Sequence, residues 1–236
     1  LKCFNHSLSL DEDYASADYW KTRTFGEMRE YEKVIQNCED LDYFKDDELL
    51  YNFLSEKIDA LRSLERFDEL LVTLDQSIQL GEKRSDPDPD DLAADYGMKG
   101  WTLLKLDRLS DAIECYDMAI KNWPDKEEPH RLKGHALLEN HEYEKCIKCF
   151  QDAWNISKND GLLIHKGRAI KKLGNKEESD EKQKEAEEIF DMIKDNEKNE
   201  PSIISSAWRE KGNCNWNLHK IDKATECYFK AVEIDP

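Results

Sequence analysis

Small, aromatic and large apolar residues return at fixed long separations in the second half of this 236-residue chain. Gly100, Gly134, Gly167 and Gly212 are each followed 12 residues on by a small side chain, at Ala112, Cys146, Ser179 and Ala224. Nineteen residues past the same glycines come Ala119, Ala153, Ala186 and Ala231. Sixteen residues past them stands an aromatic in three units, Tyr116, Phe150 and Tyr228, while Gln183 breaks the pattern in the other. Nine residues past them lie Leu109, Tyr143, Lys176 and Ile221, where the Gly167 unit departs again. Self-similarity at a period near 34 residues predicts tandem helix-turn-helix units. Two antiparallel helices approach closely only where side chains are small, so the glycine on the first helix and the two small positions on the second mark their expected contact. Gly costs about 1 kcal/mol relative to Ala inside a helix, so its recurrence implies a packing reason and not a turn. The turns are expected seven residues later, at Asp107, His141, Gly174 and His219.

A frame that starts seven residues before each glycine divides the second half into 93–126, 127–160, 160 to about 194, and 205–236. Extended backwards, it gives two looser units. Residues 51–84 place Ile58, Leu70 and Ser77 at the close-contact positions and Phe67 after the turn. Residues 15–48 place Thr22, Val34 and Leu41 there, with Tyr31 after the turn. Residues 1–14 fit as a lone second helix with Phe4 in the aromatic slot and Ser7 at the last small position, and with Leu1 as first residue the chain reads as a piece of a longer one. Residues 85–92, with their Asp-Pro-Asp-Pro-Asp-Asp run, are expected as an irregular loop in which Asp90 or Asp91 caps the next helix. Residues 195–204, which include Pro201, form a second expected loop.

The unit resembles the tetratricopeptide repeat: a bulky residue four before the Gly (Tyr96, Trp208), the alanines flanking an aromatic, and a late Pro at Pro124 and Pro236. The other two close units lack the bulky residue and the Pro. The resemblance covers nearly the whole chain and implies an all-α fold of tandem hairpins, stacked as a right-handed α-solenoid. Each hairpin cannot bury its apolar side alone, so neighbours must stack. In that family the first helices line a concave, partner-binding groove.

Composition fits helices with short joints: 37% charged and 39% apolar residues, with 9 Gly and 6 Pro. The formal charge of −18 repels phosphate backbones and anionic lipid surfaces, so neither nucleic acid nor membrane is expected as a partner. No apolar run approaches a membrane span and no signal-peptide pattern opens the chain, which gives a soluble, cytoplasmic expectation. The seven cysteines, odd in number, fit a reducing compartment where they serve as small apolar residues.

Chemistry-bearing residues are weighed against packing. Cys146 and Cys149 form a C-x-x-C, but Cys3, Cys115, Cys149 and Cys227 all occupy the position just before the aromatic slot, one per unit. Helix layers stacked about 10 Å apart keep such positions too far apart to share a zinc ion with bonds near ~2.3 Å. His130, His135 and His165 fall on neighbouring first helices without the i, i+4 spacing of a helical metal site. Asp46-Asp47 and Glu187-Glu188 read as solvated faces. No phosphate loop, nucleophile elbow or H-E-x-x-H is present. No cofactor, metal or catalytic residue is expected, and the chain is not read as an enzyme.

Family geometry places the second, fifth, ninth, twelfth and thirteenth residues of each unit on the concave face. The basic ones are Arg23, Arg62, Lys105, Arg131, Arg168, Lys171, Lys172 and Arg209, and the acidic ones Glu27, Asp59, Glu128 and Glu139. Eight minus four leaves +4 inside a chain of −18. A basic strip on an acidic body favours an acidic peptide or a free C-terminal carboxylate, and Arg pairs bidentately with carboxylates. The expected contacts are Arg131, Arg168, Lys171, Lys172, Arg209 and Asn213, with Tyr19, Trp101 and Trp216 either aromatic anchors or packing between first helices. Arg209-Glu-Lys-Gly212-Asn213 resembles the opening of the tetratricopeptide clamps that hold chaperone C-termini, but the basic residues and Asn that complete such a clamp would lie past Pro236. The functional expectation is a protein-interaction scaffold. An accessory or oligomerisation module of a larger enzyme, homo-oligomerisation included, is the first alternative, and RNA binding through the basic strip is the weaker one.

Overall fold

The computed structural model describes residues 15–39, 47–84, 87–196 and 198–236. The proposed half-repeat at 1–14, and Leu41 of the first unit, lie outside the described residues. The described residues hold helices and turns and no strand. Of the helices among the described residues, six fall in one compact unit that ends at Trp123 and six in another that begins at Pro124.

The first unit contains α1 (Ala15–Glu27), α2 (Tyr31–Asn37), α3 (Asp47–Ser63), α4 (Phe67–Lys83), α5 (Pro89–Lys105) and α6 (Leu109–Asn122). They pair as the hairpins α1–α2, α3–α4 and α5–α6, and each hairpin packs on the next. Val34, Phe53, Leu61, Leu70 and Leu74 are buried at the centre of the first two hairpins. A buried carboxylate joins the last two: Asp95 of α5 accepts from Tyr51 Oη of α3 at 3.1 Å and from Ser77 Oγ of α4 at 2.7 Å. Burial lifts the Asp95 carboxyl to about 6, against the two hydrogen bonds that favour its charged form.

The second unit contains α7 (Glu127–Glu139), α8 (Tyr143–Ser157), α9 (Gly161–Lys176), α10 (Asp180–Lys194), α11 (Pro201–Asn217) and α12 (Ile221–Ile234). The hairpins α7–α8, α9–α10 and α11–α12 again stack in order, and first helix α9 also touches first helix α11. Ile170, Ala186, Phe190, Ile193, Ala207 and Cys214 form the buried centre.

The glycines sit inside first helices as expected, but what they accommodate is an aromatic ring and not a second small residue. A Cβ on Gly100 would stand 2.7 Å from the Tyr116 ring, on Gly134 3.0 Å from Phe150, and on Gly212 2.5 Å from Tyr228. The Gly167 unit uses the same device at a different spacing: Gly167 faces Phe190, at 2.6 Å. In this hairpin both helices are longer at the turn. Glu178 makes the turn, eleven residues after the glycine, and Phe190 lies 23 after it. Seven added residues are close to one turn on each of two helices, at 3.6 residues per turn, so the faces stay in register. Ala186, Phe190 and Ile193, all buried, therefore take the roles that Ala112, Tyr116 and Ala119 take in α6. The fixed-spacing frame misplaced this unit: Gly174 lies within α9, Ser179 caps α10 by accepting from Lys182 N at 3.3 Å, and Gln183 is not in the aromatic slot.

The loop expectations also shift. Helix α5 begins at Pro89, inside the stretch read as loop, and its cap is Asp88, which accepts from Asp90 N at 2.9 Å. The Asp90 carboxylate instead accepts from the Trp123 indole N–H. Helix α11 begins at Pro201. Both prolines stand at the first helical position, where φ is already suitable and the missing N–H has no intrahelical partner to lose.

Among the described residues, all six hairpin turns are closed by a residue in the left-handed region, and none of these is Gly: Arg29, Glu65, Asp107, His141, Glu178 and His219. The backbone bonds are those of a Schellman ending, such as Arg66 N to Leu61 O at 3.0 Å and Lys220 N to Asn215 O at 2.8 Å. A left-handed conformation costs an L residue roughly 1–2 kcal/mol, less for Asp than for Glu. Glu65→Gly is therefore expected to raise stability by about 1 kcal/mol, and Asp107→Gly by less; urea midpoints of the two variants that do not move upward would refute this.

Candidate functional site

The expected binding residues fall into different settings. In the first unit, Arg23 lies 3.8 Å from Glu27 and Arg62 2.7 Å from Asp59, each on its own helix. Trp101 is a packing residue: it meets Phe67 edge-on at 5.9 Å, joins the buried centre, and carries the Lys105 ammonium 5.3 Å from its ring centre.

In the second unit, first helices α9 and α11 bring polar side chains together around one buried carboxylate. Glu210 of α11 is only 6% exposed. Its Oε1 accepts from Arg168 Nε at 2.8 Å, and its Oε2 from Lys171 Nζ at 2.5 Å and Asn213 Nδ2 at 3.1 Å. Asn213 is held in turn by Tyr228 Oη, which donates to its Oδ1 at 2.9 Å. Burial alone would raise the Glu210 carboxyl; the Lys171 hydrogen bond and charge, with Asn213 and Arg168, outweigh it and hold the group at about 2.

Next to this cluster two imidazoles meet. His135 of α7 and His165 of α9 cross edge-to-face at 4.5 Å between ring centres, and His165 stacks on Phe150 at 5.3 Å. Burial lowers both: His165 falls to about 4 through desolvation, then through His135, Arg168 and Arg131, and His135 falls for the same kinds of reason. They are thus neutral rings in a cationic neighbourhood. His130 is elsewhere, against the Pro124 carbonyl at 3.1 Å.

Arg131 lies 3.7 Å from Glu127 and 3.6 Å from Glu128 on its own helix. Lys172 and Arg209 are exposed. Trp216 is 58% exposed and stands at the turn end of α11, beside the α9–α10 turn. The structure thus joins Arg168, Lys171 and Asn213, leaves Lys172 and Arg209 open to solvent, and puts Trp216 at the turn end of α11; Trp101 belongs to the other unit. Glu210 was missed because a strict position count leaves out the sixth residue of the unit. The signal for it was an acidic residue flanked by Arg209 and Lys211.

The cysteines pack. Cys146 Sγ donates to the Gly134 carbonyl at 3.2 Å across the α7–α8 contact, and burial pushes the thiols of Cys38, Cys146 and Cys214 up to about 12. Among the described residues no three His, Cys, Asp or Glu side chains converge as a metal site would need, and no helix is long and apolar enough to cross a membrane.

A family model for the tetratricopeptide repeat matches residues 205–236, the α11–α12 hairpin just described. This is a tetratricopeptide-repeat fold. Solved structures extend it along the chain. The C-terminal part of a TPR repeat-containing protein from Cytophaga hutchinsonii aligns with a TM-score of 0.68 and 14% identity over 92% of this chain and 78% of that one. YrrB, described as a TPR protein with an unusual peptide-binding site, aligns at 0.60 and 17% over 87% and 92%. MamA aligns at 0.56 and 17% over 75% and 94%. No curated protein matches the sequence. At these identities the likeness is one of fold. Within it, the aromatic-on-glycine contact is the packing element shared by the four hairpins from α5–α6 to α11–α12.

Proposed function

We propose that this tetratricopeptide-repeat chain is a non-catalytic scaffold that binds an acidic segment of a partner protein on the first-helix face of α7, α9 and α11. The observation that carries the reading is Glu210. One buried carboxylate holds two cations and an amide in fixed positions, so Arg168 and Lys171 keep an excess positive charge at little further entropy cost on binding. Lys172 and Arg209, sequence neighbours of the paired residues, add exposed positive charge. An acidic peptide gains from this field most at low salt.

Reversing Arg168 and Lys171 is a poor test, because it sets like charges against Glu210 inside the fold. The exposed pair is the better one. A labelled Gly-Glu-Glu-Asp-Glu-Asp peptide, with free or amidated C-terminus, is expected to bind the wild type and to lose about tenfold in affinity on Lys172→Glu with Arg209→Glu, the scale of one or two close charge pairs. Fluorescence anisotropy in 50 mM salt reads this. An affinity that does not change in the double variant sinks the acidic-segment reading.

A further inference from the structure

The seven residues added to the α9–α10 hairpin do more than lengthen it. They build one wall of a cleft at the turn end of the second unit, about 640 Å³ in volume and open to solvent, whose other wall carries Trp216 and Asn217 of α11. Its floor is knitted by carboxamides. Gln183 Nε2 donates to Asn175 Oδ1 at 2.6 Å, and Asn217 Nδ2 donates to Asn175 Oδ1 at 3.0 Å and to Gln183 Oε1 at 3.2 Å. Gln183 is buried and also donates to the Lys171 carbonyl at 3.0 Å, so the floor is anchored in α9.

The cleft's charge is opposite to that of the first-helix face. Its lining includes the carboxylates of Glu178 and Asp180, both exposed, and no Lys or Arg. Trp216 contributes an indole that is 58% exposed, although Trp is a residue that folding ordinarily covers. An accessible indole face with nearby carboxylates and satisfied amides is the chemistry that takes a cation: the ring quadrupole attracts it, and the carboxylates supply the counter-charge. A planar guanidinium suits such a site better than a compact ammonium, because it stacks and pairs at once. The volume lies within the roughly 300–1,000 Å³ of side-chain and ligand pockets.

We propose that this cleft receives a basic side chain, arginine by preference, from a partner segment, with its guanidinium stacked on Trp216 and neutralised by Glu178 and Asp180. The proposal rests on the scaffold reading but not on the acidic-segment part of it. The chain then carries two recognition elements of opposite sign in one unit.

The test uses the full chain in 150 mM salt, where diffuse attraction of cations to a −18 protein is screened, and the peptide Ac-Arg-Arg-Arg-NH2 as probe, followed by the NMR indole N–H signals. The expected result is a saturable shift of the Trp216 signal, identified by its loss in Trp216→Ala. The double variant Glu178→Gln/Asp180→Asn, at exposed positions, is expected to weaken binding about fivefold, and so is Trp216→Ala, where binding is read from the backbone amide signals of Glu178 and Asn217 because the indole is gone. A control double variant, Glu144→Gln/Glu188→Gln, removes the same charge elsewhere and is expected to leave affinity within about twofold. Equal loss in the control, or unchanged binding in the two cleft variants, overturns the proposal. The acidic peptide of the preceding section should be indifferent to the cleft variants and sensitive to Lys172→Glu/Arg209→Glu, so either reading can fail while the other stands.

Discussion

Glu210→Gln is expected to lower stability by about 3 kcal/mol at neutral pH, one of the largest single effects of a polar substitution in this chain. The substitution keeps the shape of the side chain and one acceptor oxygen, so packing is not what changes. What changes is that Lys171, 14% exposed at its side chain, and Arg168, 30% exposed, lose their buried counter-charge. Breaking a buried pair from one side costs about 3–5 kcal/mol elsewhere. A carboxyl held at about 2 against an ordinary 4.5 corresponds independently to roughly 3 kcal/mol. Because a repeat protein couples mainly to its nearest neighbours, the loss should concentrate in amide exchange of α9 and α11 and appear also in the urea midpoint. Glu144→Gln, on an exposed surface, should move stability by no more than about 0.5 kcal/mol. A Glu210→Gln loss below about 1 kcal/mol would show that the cluster is not holding the two helices together.

The same cluster sets the acid response. Glu210 is depressed in the folded state, so its contribution is complete above an ordinary Glu value near 4.5 and is lost as pH falls from there toward 2. His165 is depressed to about 4 from 6.5, so the unfolded chain takes up its proton first and the fold loses stability as pH falls from 6.5 toward 4. The groups that keep His165 neutral are its own burial, then His135 across the ring contact, then Arg168 and Arg131; Glu210 pulls weakly the other way. Two limbs follow. His165→Phe, which keeps the stack on Phe150, should reduce the loss of stability between pH 6.5 and 4, leaving the part that the likewise lowered His135 contributes, and should leave the lower limb. Glu210→Gln should flatten the lower limb and leave the upper. Urea midpoints against pH, from 7.5 to 3, separate them, and a single limb altered by neither variant would reject both assignments.

The helix hairpins were legible because their signal is periodic: a helical glycine and an aromatic one turn-pair later must recur wherever two such helices pack. The meaning of the glycine was not. Spacing says that something comes close, and only the structure says that it is the face of Tyr116, Phe150, Phe190 or Tyr228. The α9–α10 hairpin shows the limit of a fixed period, since an insertion of about one turn on each helix keeps the ring on the glycine while shifting its spacing. A pairing between hairpins was also written in the sequence and not read. Lys precedes the glycine in all four units, and Lys99 reaches Asp75 at 2.5 Å, Lys166 reaches Gln151 at 2.7 Å and Lys211 reaches Asp191 at 2.6 Å, each on the preceding second helix. The binding face was half legible. Its cations are counted by sequence position, but the charge that organises them, Glu210, comes from a position the count omits, and the Trp216 cleft comes from an insertion that no repeat frame anticipates.

Two glycines three residues apart on α5 put the packing argument to its sharpest trial, because they should respond to the same substitution with opposite sign. At Gly97 an added Cβ meets nothing within 4 Å, so Gly97→Ala gains only the helix-propensity difference and should stabilise by about 1 kcal/mol. At Gly100 the same methyl would stand 2.7 Å from Tyr116 Cε1 and 2.9 Å from Cζ. Tyr116 has no exposed surface through which to retreat. Overpacking of a closed site costs about 1–3 kcal/mol, which exceeds the propensity gain, so Gly100→Ala should destabilise by about 2 kcal/mol and Gly100→Val by more. Across the units the order follows clearance: Gly212 and Gly167, at 2.5 and 2.6 Å, should tolerate Ala least, and Gly134, at 3.0 Å from Phe150, most. Urea unfolding of the five alanine variants measures this directly. If Gly100→Ala stabilises as Gly97→Ala does, the ring-on-glycine contact is not what fixes the hairpin, and the sequence period would need another cause.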